Sequence, residues 1–287
     1  MYDICCIGHI TSDKIVTPGS VSYLPGGTAY YFSCALSLLS VDYLLVTSLA
    51  AADMKYVDLL RAKGISVEAH GGSGTVFFEN IYGASHDDRS QNVLQTADPF
   101  SLSQLDQVDA RVFHLGPLLA DDIPAELVKA LSAKGRISLD VQGYLRKVVN
   151  QKVYSVDWPE KALVLQYVDI LKADVAELRA LTGFETVADG AKQVSEWGVK
   201  EVVVTNGSKG SVIYSGDEVY QIRAYAPPVV LDATGCGDTY MAGYLFRRLK
   251  GDGIQQAGEF AAAMAGLKTA ANGAFEGTEE DVVGFRG

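Results

Sequence analysis

Short apolar runs alternate with amphipathic stretches along most of this chain. The runs have the length of buried strands, and the amphipathic stretches carry apolar residues at helical spacing. This alternation predicts a three-layer α/β/α fold, in which helices cover both faces of a mainly parallel central sheet. Predicted strands occupy 4–7, 43–46, 111–115, 137–141, 168–171 and 201–205, with a hairpin at 211–214 and 218–222. Predicted helices occupy 26–39, 54–63, 124–133, 175–181, 187–197, 239–250 and 254–271.

Two segments interrupt this alternation. Residues 13–24 and 74–96 contain strand-like pieces, and no helical stretch separates the pieces of the second segment. We expect these segments to form a small antiparallel sheet apart from the core. An edge extension of the main sheet is the alternative, because short strands are weakly specified by sequence. The whole chain, 1–287, is expected to form one domain.

Composition and charge argue against several classes of function. The 287 residues are 48% hydrophobic with a mean hydropathy of +0.11, enough for the core of one large α/β domain. The net charge of −11 and the absence of a Lys/Arg cluster longer than Arg247-Arg248 argue against a nucleic-acid partner. No apolar stretch is long enough to cross a membrane. Cys5 and Cys6 lie in an apolar strand and suit buried thiols, so we expect a soluble cytoplasmic protein.

The glycine-rich segment Asp232-Ala233-Thr234-Gly235-Cys236-Gly237-Asp238 directly precedes a predicted helix. Such a turn leaves backbone N–H groups unpaired at the positive end of the helix dipole, where they suit a phosphate. The carboxylate of Asp238 is out of place in a site that only binds anions. It is explained if Asp238 takes a proton from a hydroxyl that attacks the phosphate. The alternative is a simple glycine-rich turn in which Asp238 caps the helix.

This segment resembles the carboxy-terminal signature of the ribokinase-like (PfkB) carbohydrate kinases, Asp-x-Thr-Gly-Ala-Gly-Asp, with Cys236 where alanine is usual. Further motifs follow in the family's order from Ile4 to Gly273. The resemblance implies a ribokinase-like fold whose small sheet is a lid over the substrate. It also implies ATP and Mg²⁺, with Asp238 as the general base. Gly235, Cys236 and Gly237 would then stabilise the transferring phosphoryl group. Carbonyl groups near Asp232 often help to hold a monovalent cation such as K⁺ in this family.

Substrate-binding residues are predicted in three places. Asp13 follows the first strand and can accept hydrogen bonds from two adjacent hydroxyls, although a turn cap is the alternative. Gly26 and Gly27 resemble the family's Gly-Gly substrate motif. Gln142 and Arg146 follow the strand at 137–141 and suit substrate hydroxyls or the γ-phosphate, although Arg146 equally suits a solvated helix start.

The acceptor prediction rests on local resemblance. Tyr31 stands where the family often has an asparagine that contacts ribose, which argues against ribose. Tyr30 and Tyr31 suit either an apolar wall of the pocket or the core. The segments Gly-Gly-Thr-Ala-Tyr-Tyr and Asp-Val-Gln-Gly-Tyr-Leu-Arg resemble the myo-inositol kinase branch most closely.

Cofactor-binding residues are predicted from the remaining motifs. Asp174 and Glu177 resemble the family's Asn-x-x-Glu motif, which organises Mg²⁺, with aspartate in place of asparagine. Carboxylate oxygens suit Mg²⁺. The alternative is that Asp174 caps a helix and Glu177 extends into solvent. The nucleotide-binding residues that the resemblance implies are Thr205, Asn206, Gly207, Gly210, Thr234 and Gly273.

Together these features predict an ATP-dependent kinase that phosphorylates a hydroxyl of a small sugar or polyol, with inositol as the first candidate. A ribokinase-, fructokinase- or nucleoside-kinase-like substrate is the alternative. A non-catalytic nucleotide or sugar sensor on the same fold is the alternative from another class. A nicotinamide-dependent oxidoreductase would need Gly-x-Gly-x-x-Gly after the first strand, and Gly8-His9-Ile10 does not supply it. The resemblance also allows a homodimer through the lid.

Overall fold

The computed structural model describes residues 1–82 and 89–286. Within these ranges the strands form two sheets, one of nine strands and one of six. The strands of the larger sheet are β1 (Tyr2–Ile7), β4 (Tyr43–Leu49), β5 (Ser66–Gly71), β8 (Ala110–Leu115), β9 (Arg136–Asp140), β12 (Ile170–Asp174), β13 (Glu201–Thr205), β14 (Ser211–Ser215) and β15 (Glu218–Ile222). Their spatial order is β15-β14-β13-β12-β9-β8-β1-β4-β5.

The larger sheet is parallel from β5 to β13, and β14 and β15 add an antiparallel hairpin at one edge. Successive residues of its strands are buried in different cores. Ile4 and Cys6 pack into one hydrophobic cluster, whereas Cys5 and Ile7 pack into the other. This alternation is what a strand with both faces covered requires.

Helices supply the two outer layers. Those packing in the first cluster are α1 (Gly27–Leu36), α2 (Lys55–Ala62), α7 (Cys236–Leu249), α8 (Ile254–Lys268) and α9 (Glu279–Arg286). Those in the second are α3 (Ala125–Ser132), α4 (Lys161–Leu165), α5 (Val175–Thr182) and α6 (Val187–Glu196). The predicted three-layer α/β/α fold is therefore confirmed. The described part of the chain contains no helix long and apolar enough to span a membrane.

The six-stranded sheet lies apart from the main one. Its strands are β2 (Thr11–Thr17), β3 (Ser20–Gly26), β6 (Val76–Tyr82), β7 (Arg89–Gln95), β10 (Arg146–Val149) and β11 (Lys152–Ser155). Four of them come from the two segments expected to form a small sheet, and residues 83–88 of the second segment lie outside the described residues. The edge-extension alternative is wrong, because these strands pair with one another. The sheet is not purely antiparallel, since β2 and β6 pair in parallel.

Several sequence predictions were wrong in detail. Arg146 begins strand β10 rather than a helix. The hairpin β10–β11 was missed because its strands are only four residues long. The helix expected from 239 begins earlier, at Cys236. Its first turn contains Gly237, and the low helix propensity of glycine is why the sequence pattern placed the start too late.

Candidate active site

The carboxyl ends of β9, β12 and β13 meet the amino end of α7 around a cleft of about 520 Å³. Ligands commonly bind at this edge of an open α/β sheet. Its lining includes the charged side chains of Lys172, Asp174 and Glu177, together with Gly237. Apolar residues also line it, namely Ala224, Pro227, Val230, Tyr240, Ala262 and Ala265. The cleft can therefore take a ligand with a charged part and an apolar part.

The turn before α7 has the geometry expected of an anion site. Gly235 is the N-cap residue and has a φ of +75°, which favours glycine. A side chain at Gly235 would also collide with the ring of Tyr31, which packs on this turn. Tyr31 thus forms a wall beside the turn. Burial raises the pKa of the Cys236 thiol to about 11, so cysteine in place of alanine adds no charge here.

Asp238 lies in the first turn of α7 and faces other charged groups. Burial raises the pKa of Asp238 to about 6, and the carboxylates of Asp140 and Glu177 add to this rise. The ammonium of Lys172 and a hydrogen bond from the Thr28 side chain act in the opposite direction. A carboxyl group with this pKa is ionised near neutral pH and can still accept a proton, as a general base must.

Lys172 is the residue that sequence reasoning missed. Its side chain is 8% exposed, and its Nζ lies 2.9 Å from Asp140 Oδ2 and 3.6 Å from Glu177 Oε2. Burial alone would lower the pKa of Lys172, but these two carboxylates raise it above its ordinary value. A Cβ atom on Gly237 would lie 3.2 Å from this Nζ. The ammonium therefore stays charged beside the anion site.

Asp13, Gly26 and Gly27 come together at the base of the six-stranded sheet. Thr11 Oγ1 donates a 2.6 Å hydrogen bond to Asp13 Oδ1. A side chain at Gly26 would collide with the other carboxylate oxygen of Asp13. Gly27 begins α1 with a φ of +84°, and a Cβ there would lie 2.7 Å from the carbonyl oxygen of His9. Gly26 thus leaves the space that the Asp13 carboxylate occupies, and Gly27 allows the close approach of the His9 backbone.

Asp174 and Glu177 form a capping box at the start of α5. Asp174 Oδ1 accepts a hydrogen bond from Glu177 N, and Glu177 Oε2 accepts one from Asp174 N, both at 2.7 Å. Asp174 therefore caps helix α5, as the alternative interpretation of the sequence expected. Glu177 turns toward Lys172 instead of extending into solvent. Both residues also line the cleft, and carboxylate oxygens suit a hydrated Mg²⁺, so a role for them in holding Mg²⁺ stays a prediction.

The predicted nucleotide-binding residues divide into two groups. Thr205, Gly207 and Gly210 line the cleft. Of the described residues that were predicted, Asn206, Thr234 and Gly273 do not line it. Thr234 N and Gly273 N instead donate hydrogen bonds to the Asp232 carboxylate, at 2.8 and 3.2 Å. Two alanines that line the cleft, Ala262 and Ala265, lie on α8 and precede Gly273.

The two substrate-binding residues predicted after the strand at 137–141, Gln142 and Arg146, lie in different parts of the structure. Gln142 lines the cleft, and its backbone N–H donates to Asp140 Oδ1 at 3.0 Å. Arg146 lies at the start of β10, on the six-stranded sheet, and its carbonyl oxygen accepts a hydrogen bond from Ala120 N. A role for Arg146 in binding substrate stays a prediction.

Comparison with known proteins decides the family. The sequence pattern of the pfkB family carbohydrate kinases matches residues 1–281. The chain belongs to this family. A cytidine kinase from Thermococcus kodakarensis is 26% identical over 89% of this chain and 92% of its own. An inositol 3-kinase from Arabidopsis thaliana is 26% identical over 86% of this chain and 68% of its own.

A solved structure is also similar. A pyrophosphate-dependent kinase of the ribokinase family, complexed with a pyrophosphate analogue and myo-inositol, aligns with a TM-score of 0.88. It is 28% identical, and the alignment covers 98% of this chain and 99% of that one. Membership of the family makes this protein a phosphotransferase that acts on a hydroxyl of a sugar or nucleoside. Kinases of this family use ATP, and a divalent cation is typical.

Proposed function

We propose that this protein transfers the γ-phosphoryl group of ATP to a hydroxyl of a small polyol, with myo-inositol as the first candidate. One observation carries the proposal. The carboxylate of Asp238 and the buried ammonium of Lys172 lie beside the same turn, and Lys172 and Gly237 of this group line a cleft whose walls also include apolar residues. A base for the acceptor and a cation for the transferred group are thus adjacent.

The reaction needs little covalent chemistry from the protein. Asp238 takes the proton of the acceptor hydroxyl as its oxygen attacks the γ-phosphorus and the bond to ADP breaks. The N–H groups of Gly235, Cys236 and Gly237 then meet the negative charge on the transferring group. Lys172 adds a positive charge beside Gly237. Asp174 and Glu177 would hold Mg²⁺, which neutralises phosphate charge when bound.

The apolar residues that line the cleft support a nucleotide as the phosphoryl donor. A pyrophosphate donor is charged throughout and gains nothing from a slot lined by Ala262, Ala265 and Val230. An adenine base gains from burial against such residues. The similarity to a pyrophosphate-dependent kinase makes pyrophosphate the donor to compare with ATP.

The acceptor proposal rests on Asp13 and Tyr31. A carboxylate can accept hydrogen bonds from two neighbouring hydroxyls of a polyol ring. Asp13 lies near Tyr31, since its charge contributes to raising the pKa of the Tyr31 hydroxyl after burial. The similar kinase structure contains bound myo-inositol, which supports an inositol as the acceptor here. The similarity to a cytidine kinase supports a nucleoside as the second candidate.

The proposal is tested by product formation with Mg-ATP or pyrophosphate as donor and a panel of acceptors. The panel contains myo-inositol, ribose, fructose, 2-keto-3-deoxygluconate, cytidine and adenosine. We expect the highest turnover with ATP and myo-inositol. Higher kcat/KM with pyrophosphate would reject the donor assignment, and higher kcat/KM with cytidine would reject the acceptor assignment. ATP binding without turnover of any acceptor would support the sensor.

Replacing Asp13 by asparagine is expected to raise KM for the acceptor about 10- to 100-fold, because hydrogen bonds to a charged group are lost. KM for ATP should change less than about twofold, since Asp13 is not among the described residues that line the cleft. Initial rates over a grid of both substrates measure the two constants. An equal increase in both KM values would show that Asp13 only supports the fold.

The six-stranded sheet is proposed to pair with a second copy of the chain. Val21, Tyr23, Leu24 and Tyr154 on its strands are all more than half exposed, which leaves apolar surface for a partner. We expect a dimer in light scattering, and Tyr23→Lys should shift it to monomer. Leu59→Lys, at an exposed position of α2, is the control. A monomeric wild-type protein would contradict this expectation.

A further inference from the structure

The ammonium of Lys268 lies inside the protein, beside the anion-binding turn. Lys268 is the last residue of α8, and its side chain is 0% exposed. Its Nζ donates to the carbonyl oxygen of Asp232 at 2.8 Å and to Asp232 Oδ2 at 3.0 Å. Two oxygens of one residue therefore bind the same ammonium. A lysine is almost never fully buried unless it is paired in this way.

The remaining contacts of Asp232 fix its position around this ammonium. Oδ1 accepts a hydrogen bond from Thr234 N, and Oδ2 accepts a second one from Gly273 N. Burial alone would raise the pKa of Asp232, but the hydrogen bonds from Thr234 and the charge of Lys268 lower it below its ordinary value. The carboxylate thus stays ionised, and the pair is electrically neutral.

Carbonyl groups near Asp232 were the expected ligands of a monovalent cation, and the carbonyl oxygen of Asp232 itself is one of the two oxygens that bind Lys268. A potassium ion and a primary ammonium are similar in size, carry the same charge and bind the same oxygen atoms. Two such cations cannot share the carboxylate and carbonyl oxygens of Asp232. The residues present therefore do not fit a K⁺ ion bound by these two oxygens.

We propose that the Lys268 ammonium replaces a bound monovalent cation as the group that holds the Asp232–Gly235 turn. Lys268 is a positioning residue, because it acts through the backbone of Asp232. Only Ala233 and Thr234 separate Asp232 from Gly235, whose left-handed conformation begins helix α7. An internal cation on helix α8 therefore orders the turn without an ion from solution. Its effect on catalysis rests on the proposed function, but its effect on ion binding does not.

The wild-type protein gives the first test. Thermal melting and turnover are measured in KCl and in choline chloride at equal ionic strength. We expect the same melting temperature and the same kcat in both salts, within about twofold for kcat, since the Lys268 ammonium already occupies these two oxygens of Asp232. A melting temperature or rate raised specifically by K⁺ would overturn the proposal. The thermal-melting measurement does not depend on turnover, so it still decides the question if the protein does not catalyse the proposed kinase reaction.

Variants give the second test. Lys268→Ala should lower kcat about 10- to 100-fold through the loss of charge-assisted hydrogen bonds. K⁺ or methylammonium, but not choline, should restore part of the rate and raise the melting temperature, since the vacated oxygens can bind a small cation. Lys250→Ala is the matched control, because it removes an exposed lysine at the far end of α7 and should show no cation-specific response.

Two outcomes of this second test would contradict the proposal. Unchanged turnover and stability of Lys268→Ala in choline chloride would show that the turn needs no cation. A loss in Lys268→Ala that no small cation reverses would show that the side chain acts through packing rather than charge. Lys268→Met then distinguishes lost volume from lost charge, since methionine keeps the apolar stem and should be as impaired as alanine if charge matters.

Discussion

Replacing Asp238 by asparagine is expected to lower kcat about 10²- to 10⁴-fold, the range that a general base contributes. Asparagine keeps the shape of the side chain but cannot accept the proton of the acceptor hydroxyl. KM for ATP should stay the same or fall, because the change removes a negative charge near the phosphates. Steady-state kinetics with the best acceptor, together with ATP titration by calorimetry, separate the two effects.

The pH profile checks the same assignment. Burial raises the pKa of Asp238 to about 6, so wild-type kcat/KM should fall about tenfold per pH unit below pH 6. The residual activity of Asp238→Asn should lack this acid limb. Asp281→Asn is the control, since Asp281 lies in the first turn of α9 and is exposed. Turnover of Asp238→Asn near that of wild type would exclude Asp238 as the base.

The sequence could predict the fold and the turn because both are encoded locally. Apolar periodicity is a property of neighbouring residues, and it was sufficient to predict the three layers. The turn from Asp232 to Asp238 is continuous in the chain, so its glycines and carboxylate could be read together. The short hairpin β10–β11 carries too few residues for a period to be detected.

The missed parts of the site depend on residues that are distant in the chain. Asp140 and Lys172 are cross-strand partners in β9 and β12, and the strand register that joins them cannot be read from one sequence. Lys268 and Asp232 meet only because α8 packs beside α7. A lysine in the middle of a short strand, with apolar residues on both sides, was the available signal for Lys172. Buried lysines are rare unless they are paired.

Replacing Lys172 by methionine is expected to lower kcat about 10²- to 10³-fold, as the loss of one preorganised electrostatic contact does in other enzymes. The ammonium beside Gly237 would no longer balance the charge that develops on the transferring phosphoryl group. Lys172 also lowers the pKa of Asp238 through its charge. Its removal should therefore raise that pKa and move the acid limb of the pH profile to higher pH. Rate measurements from pH 5 to 9 would detect both changes.

The variant also leaves Asp140 buried without its cation, which is expected to lower the free energy of unfolding by about 3–5 kcal/mol. A second variant separates this loss of stability from the loss of catalysis. In Lys172→Met with Asp140→Asn the more buried of the two carboxylates that faced Lys172 is neutral, so the melting temperature should recover in part. The rate should not recover, because the cation beside the phosphoryl group is still missing. Recovery of both in the double variant would show that Lys172 only neutralises Asp140, and the phosphoryl group would then depend on the α7 turn alone.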